Sequence, residues 1–394
     1  MFEREFPSHI AEEKTKQAAS SLCLTPSIKY ASASKTVAIS ALKDSTDAVV
    51  AEGAGKGVNC KMGALAESLE HFVLDHHASQ NLVASAINDI RNQPLLNMDG
   101  LLTNLPKSSE NIDCVEMTDM KGGSMAIIPA VLQIPNKSLT DNINTRPGLS
   151  FLNRYSTNSG TAFGCSADEA ILHGLNEIIE RHTLSKILMS LCGQHERLML
   201  TSPSTYMMDE IFSGQSEFRS LVEGMKILIT KTIYGVYFSM AIPKRPDGRY
   251  PICPIGSGCS LDAHIAIERA ATELLQTLDL FDESEKANDL KACALMQRSF
   301  ALQPLINLEM LRNIGYTSTR LDPPMRTGVA EQIDYIIEKV AATGLHTFSR
   351  TLFTFENGCA VTQINIPGLE RFNLVRAGIP VIPQHLLHAN RSLP

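Results

Sequence analysis

Three times along the chain, a short segment of glycine and other small residues leads into an apolar stretch that carries acidic side chains. The small-residue segments are 53–57, 158–162 and 256–260. The helices predicted after them cover 61–78, 166–192 and 262–281. Because residues three or four positions apart share a helix face, each helix would present its acidic groups on one side. If these three helices converge, their polar faces would meet in one cleft.

The segments between these helices favour β-structure. Apolar runs predict strands at 35–42, 124–134, 230–242, 348–355 and 358–366, the last two as a hairpin. Residues 53–57 are interpreted as a glycine-rich turn and 142–164 as a long loop. Since strands and helices alternate without a regular period, we predict an α/β fold in which mixed β-sheets pack against helices.

Composition and charge exclude several classes of protein. The 394 residues are 44% hydrophobic and 20% charged, which is typical of a globular chain. The net charge of −7 gives no electrostatic case for a nucleic acid or an anionic membrane as partner. The sequence shows neither a signal peptide nor an uncharged apolar run of about 18 residues. Nine cysteines without a Cys-x-x-Cys pair indicate buried thiols in a reducing cytoplasm.

The first two helices each carry a Glu-x-x-Glu pair among apolar residues. Glu67 and Glu70 share a face of the first helix. Glu177 and Glu180 share a face of the second, with Glu169 near the same stripe. Such pairs are most often the solvated side of an amphipathic helix. The functional alternative is a site for Mg²⁺, which prefers oxygen ligands and commonly lies between carboxylates and substrate phosphates.

The third helix carries Arg269, Glu273 and Gln276 on one face. Arg269 and Glu273 could form an ordinary surface ion pair. Alternatively, the planar guanidinium could bind a phosphate, with Glu273 and Gln276 as polar partners. Lys56 lies in Gly-Ala-Gly-Lys-Gly, which is not a Walker-type phosphate loop, although the backbone amides of such a segment could approach an anion closely.

Together these motifs resemble those of the YcaO superfamily. The three signatures are Gly-Lys-Gly before a Glu-x-x-Glu helix, Asn-Ser-Gly before Glu-Ala and Glu-x-x-Glu-Arg, and Gly-x-Gly-x-x-x-Asp before Arg-x-x-x-Glu-x-x-Gln. The matching residues are Lys56, Gly57, Glu67, Glu70, Asn158, Ser159, Gly160, Glu169, Glu177, Glu180, Arg181, Gly256, Gly258, Asp262, Arg269, Glu273 and Gln276. The resemblance covers 53–370. It implies a single YcaO-like domain over 1–394, with 384–394 as a C-terminal tail.

The resemblance implies an enzyme that uses ATP and Mg²⁺ to activate a backbone amide of a ribosomally made peptide. By similarity, the magnesium ligands would be Glu67, Glu70, Glu169, Glu177 and Glu180. The nucleotide would be bound by Lys56, Arg269, Glu273 and Gln276. Residues 14–21 would also reach the nucleotide. Pro394 would match the terminal proline whose carboxylate enters the active site in azoline-forming members.

The resemblance leaves the product open, although azoline-forming cyclodehydration at Cys, Ser or Thr is favoured over backbone thioamidation. Either reaction implies a precursor peptide and a leader-binding or sulfur-delivering partner protein, and the apolar helices would allow a homodimer. Four positions depart from the family pattern: Gly63, His71, Ala162 and Leu278. A non-catalytic YcaO-like scaffold is therefore an alternative. The absence of a Gly-x-Ser-x-Gly motif argues against a serine hydrolase.

Overall fold

A computed structural model describes residues 3–135, 147–212, 216–315, 321–322 and 327–389. The helices are α1 (Ser8–Ser21), α2 (Cys60–His77), α3 (Ile87–Arg91), α4 (Gly100–Thr103), α5 (Pro147–Asn153), α6 (Ala167–Leu191), α7 (Thr205–Ile211), α8 (Ser216–Glu223), α9 (Ala263–Leu280), α10 (Glu283–Gln297), α11 (Pro304–Asn307), α12 (Glu309–Arg312), α13 (Val329–Ala341) and α14 (Gln384–Ala389). None of these described helices combines the length and hydropathy needed to span a bilayer.

Within the described residues, the strands form three antiparallel sheets. They are β1 (Thr25–Tyr30), β2 (Val37–Lys43), β3 (Val49–Lys56), β4 (Val83–Ala86), β5 (Asn111–Asp119), β6 (Met125–Pro129), β7 (Thr161–Gly164), β8 (Met225–Lys231), β9 (Tyr237–Pro243), β10 (Gly256–Ser260), β11 (Phe348–Thr354) and β12 (Ala360–Asn365). Two sheets are three-stranded, with orders β1-β2-β3 and β10-β9-β8. The third has the order β4-β5-β11-β12-β7, with β6 also paired to β5. Sheets packed against helices confirm the predicted mixed α/β class.

The two three-stranded sheets belong to units with the same order of elements. In each unit, an antiparallel meander is followed by one long helix that packs on it, β1-β2-β3-α2 and β8-β9-β10-α9. The last strand of each meander carries a Gly-x-Gly sequence and contacts the helix that follows. The acidic faces of α2 and α9 therefore belong to helices that pack on equivalent three-stranded sheets.

The prediction of a glycine-rich turn at 53–57 is wrong, because most of this segment is the end of strand β3. A Cβ on Gly53 would lie 2.4 Å from the backbone N of Ser68, and one on Gly55 would lie 1.8 Å from the backbone O of Cys60. These glycines therefore allow β3 and α2 to approach with their backbones in contact. Only Gly57, with φ +77°, has the left-handed conformation of a turn residue.

The segment 256–260 shows the same arrangement and is likewise strand β10 rather than a turn. A Cβ on Gly256 would lie 2.1 Å from the backbone O of Ala270, and one on Gly258 would lie 2.5 Å from that of Ala266. Helix α9 therefore lies against β10 at a distance that admits no side chain between the two backbones.

The long loop predicted at 142–164 is confirmed only for residues 154–160 of its described part. Residues 147–153 form α5, and residues 161–164 form β7, which pairs with β12 inside the largest sheet. Gly160, with φ +88°, makes the turn into β7. The run 230–242 contains two strand segments, which are separated by a turn with Gly235 at φ +81°. Local sequence patterns underpredict β-structure in this segment, because short buried strands have too few residues to show a hydrophobic periodicity.

Other predicted features agree with the structure. Ser166 and Asp262 cap α6 and α9 by accepting hydrogen bonds from the amides of Glu169 and His264. The hairpin of β11 and β12 is confirmed. Helix α6 buries Leu175 and other apolar residues in a core shared with β12 and α13. Two of its acidic residues, Glu177 and Glu180, instead line a cavity together with residues of α2 and α9.

Candidate functional site

A cavity of about 1020 Å³ lies between α2, α6 and α9, and most of the predicted site residues line it. The predicted residues in its wall are Lys56, Glu67, Glu70, Glu177, Glu180, Arg269, Glu273 and Gln276. Residues separated by more than 200 positions in the sequence thus meet in one space. Three polar helix faces converge, as the recurrence in the sequence predicts.

Backbone amides of adjacent strands or turns orient three of the carboxylates. Glu67 accepts a hydrogen bond from the amide of Ala54 at 2.9 Å. Glu70 accepts one from Phe163 and Glu177 accepts one from Gly160, both at 3.2 Å. Each bond stabilises the ionised oxygen that receives it and restricts the side chain.

Arg181 lies at the centre of the acidic groups, although it is not among the site residues that the sequence predicts. Its guanidinium is 3.8 Å from both Glu177 and Glu180 and 4.0 Å from Glu273. Burial alone would lower the pKa of Arg181, but the three carboxylates outweigh burial and raise it above the ordinary value. Its place directly after Glu180 in Glu-x-x-Glu-Arg is the signal that could have identified it.

Ser257 links two of the acidic helices, and it is likewise not among the site residues that the sequence predicts. Its hydroxyl lies 2.7 Å from Glu180 and 3.3 Å from Glu273. Glu273 also pairs with Lys56. Burial would raise the pKa of Glu273, but Lys56 and Arg181 outweigh burial and hold it below the ordinary value. Gln276 donates to the backbone O of Ala54 at 2.7 Å, which ties α9 to β3.

Glu70 and Glu177, in contrast to Glu273, have pKa values that are raised above the ordinary value. Burial raises the pKa of Glu70 well above its ordinary value, and Glu177 and Glu67 raise it further. Burial also raises the pKa of Glu177 to about 7, against the effect of Arg181. These groups repel one another at neutral pH, and a cation between them would relieve that repulsion.

The charges of the cavity wall fit a cation-dependent site. The wall contains nine Asp and Glu residues and five Lys and Arg residues, so a polyphosphate would need cations in order to enter. Among the residues that the structure describes, no group of three or more His, Cys, Asp or Glu side chains could hold a metal ion. Mg²⁺ commonly uses one or two carboxylates together with water and substrate phosphates, and this wall offers such ligands.

Glu169 lies beside the cavity rather than in its wall. Its buried carboxylate accepts hydrogen bonds from the amide of Glu5 at 2.6 Å and the amide of Cys165 at 3.2 Å, and it lies 3.4 Å from Arg4. Its predicted role as a magnesium ligand is therefore less directly supported by geometry than that of the other four glutamates.

The N-terminal helix α1 reaches the cavity at one residue of the predicted nucleotide-binding segment. Within the predicted nucleotide-binding segment 14–21, Thr15 lines the cavity. Lys14 instead binds the backbone O of Asn357, and Lys16 pairs with Glu12 on the surface. Pro394 lies outside the described residues.

Comparison with known proteins identifies the family. A family model described as YcaO cyclodehydratase, ATP- and Mg²⁺-binding, matches residues 54–370, which is most of the chain. The chain belongs to the YcaO family. At family level this confirms ATP and Mg²⁺ as the predicted cofactors, whereas the roles of individual residues stay predictions.

Solved YcaO-like structures share this fold at low identity. A YcaO protein from Methanopyrus kandleri, bound with AMPPCP and Mg²⁺, is 16% identical with a TM-score of 0.63, and 97% of each chain is covered. A heterocyclase in complex with substrate and cofactor is also 16% identical with a TM-score of 0.64. The match covers 94% of this chain but 54% of the heterocyclase.

Two further proteins extend the comparison. An Escherichia coli microcin synthetase complex, McbBCD with pro-MccB17 bound, contains a chain that is 13% identical with a TM-score of 0.55, and 87% of each chain is covered. An uncharacterized protein from Methanothermobacter thermautotrophicus is 22% identical over 338 residues, which is 83% of this chain and 84% of the relative.

The raised pKa of Glu177 predicts a pH-dependent stability. A carboxyl whose pKa is raised by folding stabilises the fold below its ordinary pKa of 4.5, and this stabilisation is lost as the pH rises to about 7. We expect the free energy of unfolding of the wild type, relative to Glu177→Gln, to fall by about 1–3 kcal/mol between about pH 5 and pH 8. Millimolar Mg²⁺ should restore part of the loss. Thermal unfolding of both proteins tests this, and parallel pH curves would contradict it.

Proposed function

We propose that this YcaO protein uses ATP and Mg²⁺ to activate a backbone amide of a ribosomally made peptide, in azoline-forming cyclodehydration of Cys, Ser or Thr. The observation that carries the proposal is the single cavity in which α2, α6 and α9 bring together carboxylates and the cationic groups of Lys56, Arg181 and Arg269. ATP would supply the phosphoryl group that makes the amide oxygen a leaving group, with ADP released, and Mg²⁺ would neutralise the charge of the phosphates.

The polar part of the cavity would bind the metal and the phosphates. Glu67, Glu70, Glu177 and Glu180 provide oxygen ligands on two facing helices. Arg269 and Lys56 provide positive charge from the side of α9 and β3. Glu169 would act beside them, through its contacts with residues 4 and 5 of the chain.

The peptide would occupy the apolar end of the same cavity. Along α6, the lining changes from Glu177 and Glu180 to Leu184 and Leu188. At a rise of about 1.5 Å per residue, Leu188 lies roughly 16 Å along the helix from Glu177. The rings of Tyr250 and Phe281, 4.7 Å apart, line the same cavity. The lining beside Phe281 also includes Asp282, Glu285 and Asp289. Apolar and aromatic groups with a few polar ones next to a phosphate site suit a peptide whose amide must meet the nucleotide.

Two alternatives differ in chemistry. Backbone thioamidation would use the same amide activation and would need a sulfur-delivering partner. A non-catalytic scaffold would have lost nucleotide turnover, yet its intact buried carboxylates would remain costly without a cation. In either enzymatic case we propose a precursor peptide and a partner protein, which the assembly of the related McbBCD chain with pro-MccB17 supports.

Turnover distinguishes these alternatives. The purified chain should be incubated with ATP, Mg²⁺ and a panel of synthetic peptides that contain Cys, Ser or Thr, with and without added sulfide. Cyclodehydration is expected to release phosphate and remove one water from the peptide, whereas thioamidation would exchange one oxygen for sulfur only when sulfide is present. Mass spectrometry reads both products. Failure of calorimetry to detect Mg²⁺-dependent ATP binding would contradict the enzymatic proposal for the isolated chain.

A further inference from the structure

Glu3, the first residue that the structure describes, contacts the cavity-lining residue Arg269 from the protein interior. The carboxylate of Glu3 pairs with the guanidinium of Arg269 at 2.5 Å. It also accepts hydrogen bonds from the hydroxyl of Ser260 at 2.5 Å and from the side-chain Nδ2 of Asn176 at 3.4 Å. Glu3 therefore joins α6, β10 and α9 at one buried point.

The two partners of this ion pair differ in their exposure and in their position relative to the cavity. The side chain of Glu3 is 7% exposed, whereas that of Arg269 is 26% exposed and lines the cavity. A carboxylate this deeply buried needs such partners, since an unpaired buried charge is strongly unfavourable. Glu3 supports Arg269 from the protein side, and the exposed part of the guanidinium faces the cavity.

The guanidinium is fixed at both of its terminal nitrogens. Nη2 donates to Glu3, and Nη1 donates to the backbone O of Cys259 at 2.8 Å. Because the guanidinium is planar, two such bonds define the plane in which its other N–H groups lie. These two bonds use two of the five N–H groups.

We propose that Glu3 is a positioning residue that fixes Arg269 in the orientation required to bind a nucleotide phosphate. The inference rests on the proposed function, in which Arg269 contacts the nucleotide. Glu3 itself is not among the residues that line the cavity. Without it, the Arg269 side chain would sample several rotamers, and binding would include the cost of ordering them again.

The test compares Mg²⁺-dependent ATP binding, by calorimetry, in the full chain and its Glu3→Ala, Glu3→Gln and Arg269→Ala variants. Glu3→Ala is expected to weaken binding about tenfold. Glu3→Gln keeps an acceptor for Arg269 and should recover part of the loss. Adding Glu3→Ala to Arg269→Ala should cause no further weakening. Glu12→Ala is the control, because Glu12 pairs only with Lys16 on the exposed face of α1 among the described residues.

A second measurement needs no nucleotide. Phenylglyoxal labelling, mapped by mass spectrometry, should modify Arg269 severalfold faster in Glu3→Ala and Glu3→Gln than in the wild type. Unchanged labelling would overturn the proposal, even if the wild type binds no ATP and the proposed function itself fails. Unchanged ATP binding by Glu3→Ala would also overturn the proposal. Tighter ATP binding would overturn it as well, because Glu3 would then compete with phosphate for Arg269. Thermal unfolding of each variant identifies any that do not fold.

Discussion

Replacing Glu177 and Glu180 together by glutamine is expected to weaken Mg²⁺-dependent ATP binding by at least about a hundredfold and to stabilise the free protein. The two carboxylates lie on one face of α6 in the cavity wall, and both have raised pKa values that burial and neighbouring acids cause. Glutamine keeps their size and hydrogen-bond acceptors but removes the charges that attract the metal. The same removal relieves repulsion in the absence of metal.

Calorimetric titration measures the binding, and thermal unfolding measures the stability. The expected rise in Tm of the double variant is about 1–3 °C without Mg²⁺, and it should shrink when Mg²⁺ is added to both proteins. Glu338→Gln is a matched control, since Glu338 is an exposed partner of Lys121 and lies on α13. If the double variant bound ATP like the wild type, these carboxylates would not form the metal site.

Gly55→Ala is expected to destabilise the protein by more than about 3 kcal/mol or to prevent folding. The new Cβ would lie 1.8 Å from the backbone O of Cys60 and 2.4 Å from the backbone N of Ala64. Neither backbone atom can yield as a flexible side chain could. Strand β3 and helix α2 would have to separate, and this would displace Glu67 and Glu70 as well.

Gly63→Ala provides a matched comparison within the same contact. Gly63 lies inside α2, where alanine is favoured over glycine by up to about 1 kcal/mol. Its Cβ would meet the Cα of Gly55 at 3.5 Å, an ordinary contact distance. Denaturant unfolding should therefore show opposite effects for the two substitutions. Equal destabilisation would mean that any added methyl group at this interface is harmful, whatever its distance to the facing backbone.

Local signals predicted the helices and their acidic faces. The caps Ser166 and Asp262 and the apolar periodicity each depend on residues within one or two helical turns, so the sequence contains the information directly. The shared face of Glu177 and Glu180 follows from their spacing alone. Their convergence with Lys56 and Glu273 followed from the family resemblance and the recurrent motif.

The contacts that the sequence did not predict join distant segments. The pairing of Glu3 with Arg269 links positions 266 residues apart, and no local pattern marks it. Arg181 stands in a motif, but its distances to three carboxylates depend on how α6 and α9 pack. Because glycine is depleted in strands, Gly53 and Gly55 indicate a turn in the sequence alone, and only the facing helix explains their presence in β3.

Glycine at the two strand–helix contacts has a consequence for how the interior of this chain tolerates change. At Gly55 and Gly256 the facing backbones leave no room for a side chain, so at these two points no side chain sets the spacing between strand and helix. A change in the volume of a neighbouring core side chain is therefore expected to leave both points of backbone contact in place. The cavity geometry of this chain is thereby buffered against variation in its core at the places where α2 and α9 are held most closely.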